Sequence, residues 1–249
     1  IRRMGLRVRD LSVSESGGVK TIAADGLLSA QKISVRLGGR NVLNDISFQA
    51  SRGEIIAIAG VNGAGKSTLA RMLCGLQKNG SGTVLWAGKP MSQRLRRKKA
   101  YMVMQDVGHQ LFTDSVAAEC ALGIKAPNKD EIDRTLEKVD LLAYKERHPL
   151  SLSGGQMQRL AVVVSDICGK ELLVFDEPTS GLDLKSMEEV GILTRSLATQ
   201  GKVLLIITHD IEFMMRICTR ILFIRDREIV EDLSGGQKEK IVRLLRGEE

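Results

Sequence analysis

Residues 60–67 have the composition of a loop that binds phosphate. They read Gly-Val-Asn-Gly-Ala-Gly-Lys-Ser, which fits the pattern G-x-x-x-x-G-K-[ST]. The backbone N–H groups of such a loop point inward, toward the positive end of the helix that follows. We expect Lys66 to reach the β- and γ-phosphates of a nucleotide and the Ser67 hydroxyl to bind a magnesium ion. The candidate nucleotide-binding residues of the loop are Gly60, Asn62, Gly63, Ala64, Gly65, Lys66, Ser67 and Thr68.

Two adjacent carboxylates, Asp176 and Glu177, follow the apolar run Leu172–Phe175. Neighbouring residues of a strand point to opposite sides, so the two can take different roles. We expect Asp176 to hold the magnesium, directly or through water. Glu177 is the candidate to orient or deprotonate an attacking water, a role worth about 10²–10⁴-fold in rate. Taken without the rest of the sequence, this pair could simply be the charged end of a strand. The phosphate loop upstream favours the catalytic interpretation.

The pentapeptide Leu-Ser-Gly-Gly-Gln occurs at residues 152–156 and again at residues 233–237. In the first copy Ser153, Gly154, Gly155 and Gln156 precede a helical stretch that we expect to begin near Gln156, and a serine hydroxyl with bare glycine amides there forms an anion site. This site has neither a lysine nor a metal ligand, so it needs the phosphate loop of a partner. The second copy, with no carboxylate-tipped strand after it, is predicted to be a turn and a helix start.

Apolar runs alternate with helical stretches over residues 54–76 and 171–224, which predicts an α/β fold whose parallel sheet has helices on both faces. Early strands near Lys32–Leu37 and Ile46–Ala50 should form an antiparallel part. Residues from about 106 to 168 contain no comparable strands, and Asp130–Leu142 has apolar residues at helical spacing. We therefore expect a helical subdomain inserted into the sheet domain.

These motifs together resemble the ATP-binding cassette (ABC) ATPases, from about Ser29 to about Asp232. Gln105 resembles the glutamine loop of that family, Ser180–Asp183 its D-loop, and His209, which follows the apolar run Val203–Ile207, its switch histidine. The resemblance implies a P-loop NTPase core. The catalytic residues that it implies are Lys66, Gln105, Glu177 and His209.

The resemblance also implies the ligands and the partner. ATP and Mg²⁺ are expected, with Ser67, Gln105 and Asp176 as metal ligands and with Asp183 and the first pentapeptide as nucleotide contacts. In this family the pentapeptide of one subunit binds the γ-phosphate held by another, so a second ABC ATPase subunit, identical or different, is expected. Leu37 stands about where the family has an aromatic residue that stacks on adenine, which predicts weaker ATP binding.

The residues after Gln105 indicate the kind of cassette. Gln110-Leu111-Phe112 followed by Val116 resembles the energy-coupling-factor branch, whose members drive vitamin or metal-ion uptake. This resemblance implies an integral membrane transporter subunit as partner. Leu111, Phe112 and Val116 either line the groove for that subunit or pack in the helical subdomain. A soluble ABC ATPase acting on ribosomes or DNA is the alternative, although the long coiled-coil insertion of DNA-repair cassettes is missing.

Composition sets further bounds on this chain of 249 residues. The net charge is +7, but with aromatics at only 3% we expect no nucleic-acid partner. The densest basic cluster, residues 94–99, is predicted to be a solvated loop. No apolar run approaches the roughly 18 residues of a membrane span, so a cytoplasmic location, peripheral on the inner face of the cell membrane, is expected. We divide the chain into an extension or linker (1–28) and an ABC ATPase domain (29–249).

Overall fold

The computed structural model describes residues 27–246. The extension predicted for residues 1–28 therefore lies outside the described residues, apart from Leu27 and Leu28. The helices are α1 (Lys66–Leu73), α2 (Gln93–Lys99), α3 (Val116–Ala121), α4 (Lys129–Glu137), α5 (Gly154–Ile167), α6 (Leu184–Thr199), α7 (Ile211–Ile217) and α8 (Lys238–Arg246). The strands are β1 (Leu28–Leu37), β2 (Arg40–Ala50), β3 (Ile55–Gly60), β4 (Gly80–Trp86), β5 (Lys89–Pro90), β6 (Ala100–Val103), β7 (Leu172–Asp176), β8 (Val203–Ile207), β9 (Arg220–Arg225) and β10 (Glu228–Ser234).

The strands form two sheets. A four-stranded antiparallel sheet has the order β2-β1-β4-β5, and a six-stranded sheet has the order β10-β9-β3-β8-β7-β6. In the larger sheet every pair is parallel except β9 with β10. The predicted α/β class with an N-terminal antiparallel part is thereby confirmed. β1 and β2 are longer than the strands expected from the sequence.

The central strands β3, β7 and β8 of the six-stranded sheet are buried on both faces, as their continuous apolar sequences require. Alternate residues of β3 divide between two cores: Ile56 and Ile58 pack with α1 and the antiparallel sheet, whereas Ile55, Ala57 and Ala59 pack with α5, α6, α7 and α8. The sheet therefore separates two helical layers. Among residues 27–246, no helix combines the length and the apolar character that crossing a membrane requires.

Residues 106–168, all of them described, contain three α-helices and short 3-10 turns but no strand. Their apolar side chains form a third core under α3, α4 and α5. The helix predicted over Asp130–Leu142 is wrong at its end: α4 stops at Glu137, and Asp140 turns the chain with a φ of 55°. The helix predicted near Gln156 begins earlier, at Gly154, because Ser153 caps it.

The segment after the glutamine loop divides between core and surface. Leu111 and Val116 are fully buried in the third core, whereas Phe112 is 69% exposed. Leu111 and Val116 therefore pack in the helical subdomain, and only Phe112 is free to meet a partner.

The basic cluster at residues 94–99 was expected to be a solvated loop, and this expectation is wrong. It lies in α2, whose first turn is capped by Ser92. Arg96 is buried between α2 and the end of α1, where its guanidinium donates a hydrogen bond of 2.5 Å to the Met72 carbonyl. Burial lowers the pKa of this guanidinium, and its Nε has no hydrogen-bond partner in the structure. The neighbouring Arg97 is exposed.

The two adjacent arginines of α2 therefore differ in what they do for stability. Arg96→Ala leaves a cavity and removes one of the two hydrogen bonds to the Met72 carbonyl at the end of α1, so we expect a loss of about 2 kcal/mol in the free energy of unfolding. Arg97→Ala, the matched control, should change it by less than about 0.5 kcal/mol. Urea unfolding of the two variants measures both. Equal losses would contradict the structural role of Arg96.

Candidate functional site

The predicted site residues meet at one edge of the six-stranded sheet. β3, β8, β7 and β6 run parallel, so their carboxyl ends lie at the same edge, where open α/β sheets bind ligands. A cavity of about 890 Å³ opens there. It is lined by Val42, Gly60, Val61, Asn62, Gly63, Gly65, Lys66, Ser67, Thr68, Gln105, Asp176, Glu177, Ile207 and His209. The sheet thus brings the phosphate loop, both carboxylates, Gln105 and His209 to one cavity.

The phosphate loop depends on Gly65. This residue has a φ of 99°, and a Cβ here would lie 2.6 Å from Leu43 Cδ2 and 2.8 Å from the Val42 carbonyl oxygen. A side chain is therefore excluded by both conformation and space. Gly65 is the N-cap residue of α1, and no side chain caps this helix, so its first N–H groups can bind an anion.

Lys66 reaches into this loop and is mostly buried. Its ammonium donates hydrogen bonds of 2.8 Å and 3.1 Å to the carbonyls of Gly60 and Val61. Burial lowers the pKa of this ammonium, and the charges of Glu177 and Asp176 oppose the shift. The ammonium is therefore held beside the loop, where a bound phosphate would exchange for the carbonyl partners.

Asp176 is the last residue of β7 and is only 7% exposed. Burial raises the pKa of its carboxyl, while a hydrogen bond from the Ser67 hydroxyl opposes the shift. A carboxylate and a hydroxyl in contact, with the Gln105 amide lining the same cavity, are oxygen ligands of the kind that Mg²⁺ prefers. The residues present therefore fit a magnesium site.

The sequence suggested that Glu177 continues the strand, but β7 ends at Asp176. Its φ of 50° is in the left-handed region, which is uncommon for a residue other than glycine and costs about 1 kcal/mol or more. Its N–H donates to the Ile207 carbonyl at 2.8 Å, and its Oε1 lies 2.9 Å from His209 Nδ1. The backbone turn and the histidine together direct the carboxylate into the cavity.

The first pentapeptide lies on the helical subdomain and does not line the cavity. Ser153 caps α5 through a capping box: Gln156 N–H donates to Ser153 Oγ at 3.4 Å, and Ser153 N–H donates to Gln156 Oε1 at 2.9 Å. A Cβ at Gly154 would meet nothing within 4 Å, whereas one at Gly155 would lie 2.4 Å from Ser186 Oγ. Gly155 therefore permits close packing of α5 on α6, and Gly154 leaves open space.

Asp183 is fixed next to this contact. Its carboxylate caps α6 by accepting a hydrogen bond of 2.7 Å from Ser186 N–H, and this bond lowers the pKa of the carboxyl. The side chain is exposed and does not line the cavity. Because Asp183 and Gly155 both lie against Ser186, the predicted D-loop residue and the glycines of the pentapeptide occupy one surface.

Two apolar residues bear on where a nucleotide base would lie. Leu37 ends β1 and packs, half-buried, against the core between the sheets, and it does not line the cavity. Val42, in β2, does line it, and the sequence analysis missed this residue. Its position in the sequence could have indicated it: Val42 is an apolar residue next to the fully buried Leu43, so in a strand it must lie on the opposite face.

The turn predicted in the second pentapeptide is confirmed at residues 235–236, but Ser234 ends a strand and the helix begins only after the pentapeptide. Leu233 and Ser234 belong to β10, paired with β9, and α8 begins at Lys238. Leu233 is buried, and Ser234 N–H donates to Gln237 Oε1 at 3.1 Å. Both copies share the hydrogen bond from the serine N–H to the glutamine Oε1, but the serine of the first copy caps helix α5, whereas the serine of the second ends strand β10.

The buried carboxylate of Asp176 generates a prediction for the protein without nucleotide or metal. Its folded-state pKa is raised, so this group contributes less stability as the pH rises through that pKa. Asp176→Asn removes the charge at similar size, so its melting temperature should exceed that of the wild type at neutral pH, and the difference should shrink on acidification. Thermal unfolding at several pH values measures this.

Asp183→Asn is the control for that measurement. The pKa of Asp183 is lowered by a hydrogen bond, so its charge is stabilising above its ordinary pKa, and this stability is lost as the pH falls. We therefore expect no rise in melting temperature for Asp183→Asn. A rise in this variant, or none in Asp176→Asn, would contradict the electrostatic reading of the cavity.

Comparison with known proteins agrees with this geometry. Residues 43–180 match the family described as ABC transporter. An ABC transporter ATP-binding protein of Treponema denticola is 52% identical over 247 residues, which cover 97% of this chain and 50% of that protein. One of Bifidobacterium longum is 39% identical over 223 residues, covering 79% of this chain and 28% of that protein. The chain thus spans about half the length, or less, of these relatives.

Solved structures show the same fold. CbiO1 from Clostridium perfringens, part of the ABC transporter complex cbiONQ, has a TM-score of 0.78 at 28% identity, covering 90% of this chain and 94% of that one. A nucleotide-free ATP-binding cassette from an ABC transporter has a TM-score of 0.78 at 21% identity, covering 88% of this chain and 95% of that one. With the family match extending over more than half of its 249 residues, the chain belongs to the ABC transporter family, as an ATPase domain.

Proposed function

We propose that this domain drives an energy-coupling-factor type importer of a vitamin or metal ion, by hydrolysing ATP as one half of a dimer. The observation that carries the ATPase part is the single cavity that joins the phosphate loop to Asp176, Glu177 and His209. The importer type is supported by the Gln110–Phe112 sequence and by the likeness to CbiO1, which is part of a transporter complex.

The phosphate half of the reaction follows from the cavity. The ammonium of Lys66 and the free N–H groups of α1 bind the β- and γ-phosphates. Ser67, Asp176 and Gln105 would hold Mg²⁺, which supplies neutralisation of the phosphate charge. Val42 offers an apolar surface near the loop for the base.

The water half depends on Glu177 and His209. The Glu177 carboxylate, directed into the cavity, orients the attacking water and accepts its proton. The contact of 2.9 Å between His209 Nδ1 and Glu177 Oε1 fixes the carboxylate before substrate arrives. His209 is largely exposed, so its free ring edge can reach the γ-phosphate of a bound nucleotide.

The second half of each site comes from another subunit. Ser153, Gly154 and Asp183 lie on an exposed surface outside the cavity that holds the phosphate loop and the predicted metal ligands. Their hydroxyl and amide groups can stabilise a γ-phosphate only when a second phosphate loop approaches. This arrangement predicts that ATP closes the dimer and that release of products opens it.

The two pentapeptides offer a matched test of this division. Ser153→Arg blocks the γ-phosphate contact of the partner site, so steady-state ATPase activity should fall about a hundredfold, as when a transition-state donor is lost. Ser234→Arg changes the corresponding serine of the second copy and should leave the ATPase rate within about twofold of the wild type. Phosphate release measured at saturating ATP compares them.

Mixing variants then tests whether the half-sites act between subunits. Lys66→Ala and Ser153→Arg are each inactive alone, but a dimer with one of each contains one intact site. If this chain pairs with a second copy, the mixture should recover a fraction of the wild-type rate. No recovery would contradict that pairing.

The membrane partner has a candidate docking surface around the glutamine loop. Phe112, Met104 and Leu150 are 69%, 42% and 53% exposed. Leu150 lies beside the loop, since its Cδ2 would be 3.7 Å from a Cβ at Gly108. An apolar surface next to Gln105 suits the short helices of a membrane subunit, so we place the domain on the cytoplasmic face of the cell membrane.

Replacement of Phe112 tests this docking. Phe112→Ser removes the most exposed apolar side chain of the surface, so the share of the protein retained on washed membranes should fall several-fold, while ATPase activity of the purified protein stays within about twofold. Leu122→Ser, at 43% exposure in the same subdomain, is the control. Equal retention of the two variants, or sedimentation of the wild type with ribosomes, would contradict the transporter role.

A further inference from the structure

Gln105 follows the end of an edge strand, which is hydrogen-bonded to a neighbouring strand on one side. β6 is the edge strand of the six-stranded sheet and pairs with β7 as far as Val103. The two residues that follow, Met104 and Gln105, carry the chain into the cavity without a further strand partner in the part of the chain that the structure describes. The position of Gln105 therefore depends on whatever holds the end of β6.

The side chain of Gln110 holds this end. Its Oε1 accepts a hydrogen bond of 3.0 Å from Met104 N–H, and its Nε2 donates one of 2.8 Å to the Met102 carbonyl. The side chain of Gln110 is thus bonded to the backbone of two residues at the end of β6, Met102 and Met104.

The geometry of these bonds is that of a strand. The backbone groups of residues two apart in a strand point to the same side, so Met102 C=O and Met104 N–H face one direction. One primary amide supplies a donor and an acceptor at the spacing of an adjacent strand. Gln110 therefore extends the ladder of β6 to the residue before Gln105.

The outer end of the same segment is also fixed. The carboxylate of Glu119, only 2% exposed, accepts hydrogen bonds from Phe112 N–H at 3.1 Å, Thr113 N–H at 3.0 Å and the Thr113 hydroxyl at 2.7 Å. Between the two anchors, Asp106 caps a 3-10 turn over residues 107–109. The segment from Gln105 to Thr113 is consequently one braced piece with Phe112 at its outer end.

We propose that Gln110 is a positioning residue that sets the place of Gln105 relative to Asp176 and Ser67, and that it links this place to Phe112. Gln110 does not line the cavity, so it acts through the backbone of Met104 and not on the nucleotide. The proposal rests on the proposed function for the role of Gln105 as a metal ligand. Through Gln110, a displacement of Phe112 at the docking surface would be transmitted to Gln105 at the metal site.

Amide exchange in the nucleotide-free protein tests the brace directly. Gln110→Ala removes the acceptor of Met104 N–H, so hydrogen–deuterium exchange of this amide should become about three- to tenfold faster. Gln110→Glu keeps the acceptor and loses the donor, so exchange of the Met104 amide in this variant should be faster than in the wild type and slower than in Gln110→Ala. The control is Gln93→Ala, which removes another side-chain amide bonded to backbone carbonyls, those of Gly75 and Gln77.

The Mg²⁺ dependence of ATPase activity tests the consequence for Gln105. In Gln110→Ala the Mg²⁺ concentration for half-maximal activity should rise about three- to tenfold, while KM for ATP stays within twofold, because the phosphate loop is untouched. Gln110→Glu should again be intermediate, and Gln93→Ala should match the wild type. Thermal unfolding of all three variants shows that each is folded.

Two outcomes would overturn the proposal: unchanged exchange of the Met104 amide in Gln110→Ala, or a rise in Mg²⁺ requirement that Gln93→Ala shares. A failure of the proposed function is distinguishable from both. It would show as a wild-type protein without Mg²⁺-dependent hydrolysis, and the exchange measurement, made without nucleotide, would still decide whether Gln110 holds β6.

Discussion

The site depends on the register of the parallel strands. Ile58 of β3 pairs with Ile207 of β8, and Ile207 pairs in turn with Asp176 of β7, so β7 and β8 end at one level and β3 continues two residues further, to Gly60 of the phosphate loop. Because these strands are buried on both faces, a slip of one residue would exchange the two cores and is strongly resisted. The hydrogen-bond ladder thereby sets the distances among the phosphate loop, the carboxylates and His209, although these groups are far apart in sequence.

Much of this arrangement was predictable because its signals are local. The strand, the glycine loop and the helix around Lys66 follow from adjacent residues, and so do the carboxylates after β7. The left-handed turn at Glu177 was not predictable, since it depends on contacts with the distant residues Ile207 and His209. The cap that Asp183 forms on α6 and the bonds of Gln110 to the end of β6 are short-range, but they depend on side-chain conformations that no motif in the sequence specifies. For the same reason the basic residues 94–99 read as a solvated loop, whereas the guanidinium of Arg96 in fact packs on the end of α1.

The two half-sites that we propose are built by different means. The phosphate half is set by the sheet, whereas the pentapeptide half is set by helix packing, with Gly155 of α5 against Ser186 of α6. Since Asp183 caps α6 through the same Ser186, the exposed groups of this half are held together by one contact. The surface that this half presents is therefore fixed to α6, whose buried residues pack in the same core as β3, β7 and β8.

The charges of the cavity explain why nucleotide and metal should bind together. Without them, the ammonium of Lys66 bonds to carbonyls of its own loop, and the buried carboxylate of Asp176 has a raised pKa because water is excluded. A polyphosphate alone would add negative charge beside Asp176 and Glu177, and a cation alone would face Lys66. A complex of the two would satisfy both sides at once, since the phosphates would meet the ammonium and the metal would meet the carboxylate. We therefore expect the nucleotide-free site to favour a metal–nucleotide complex over either of its parts.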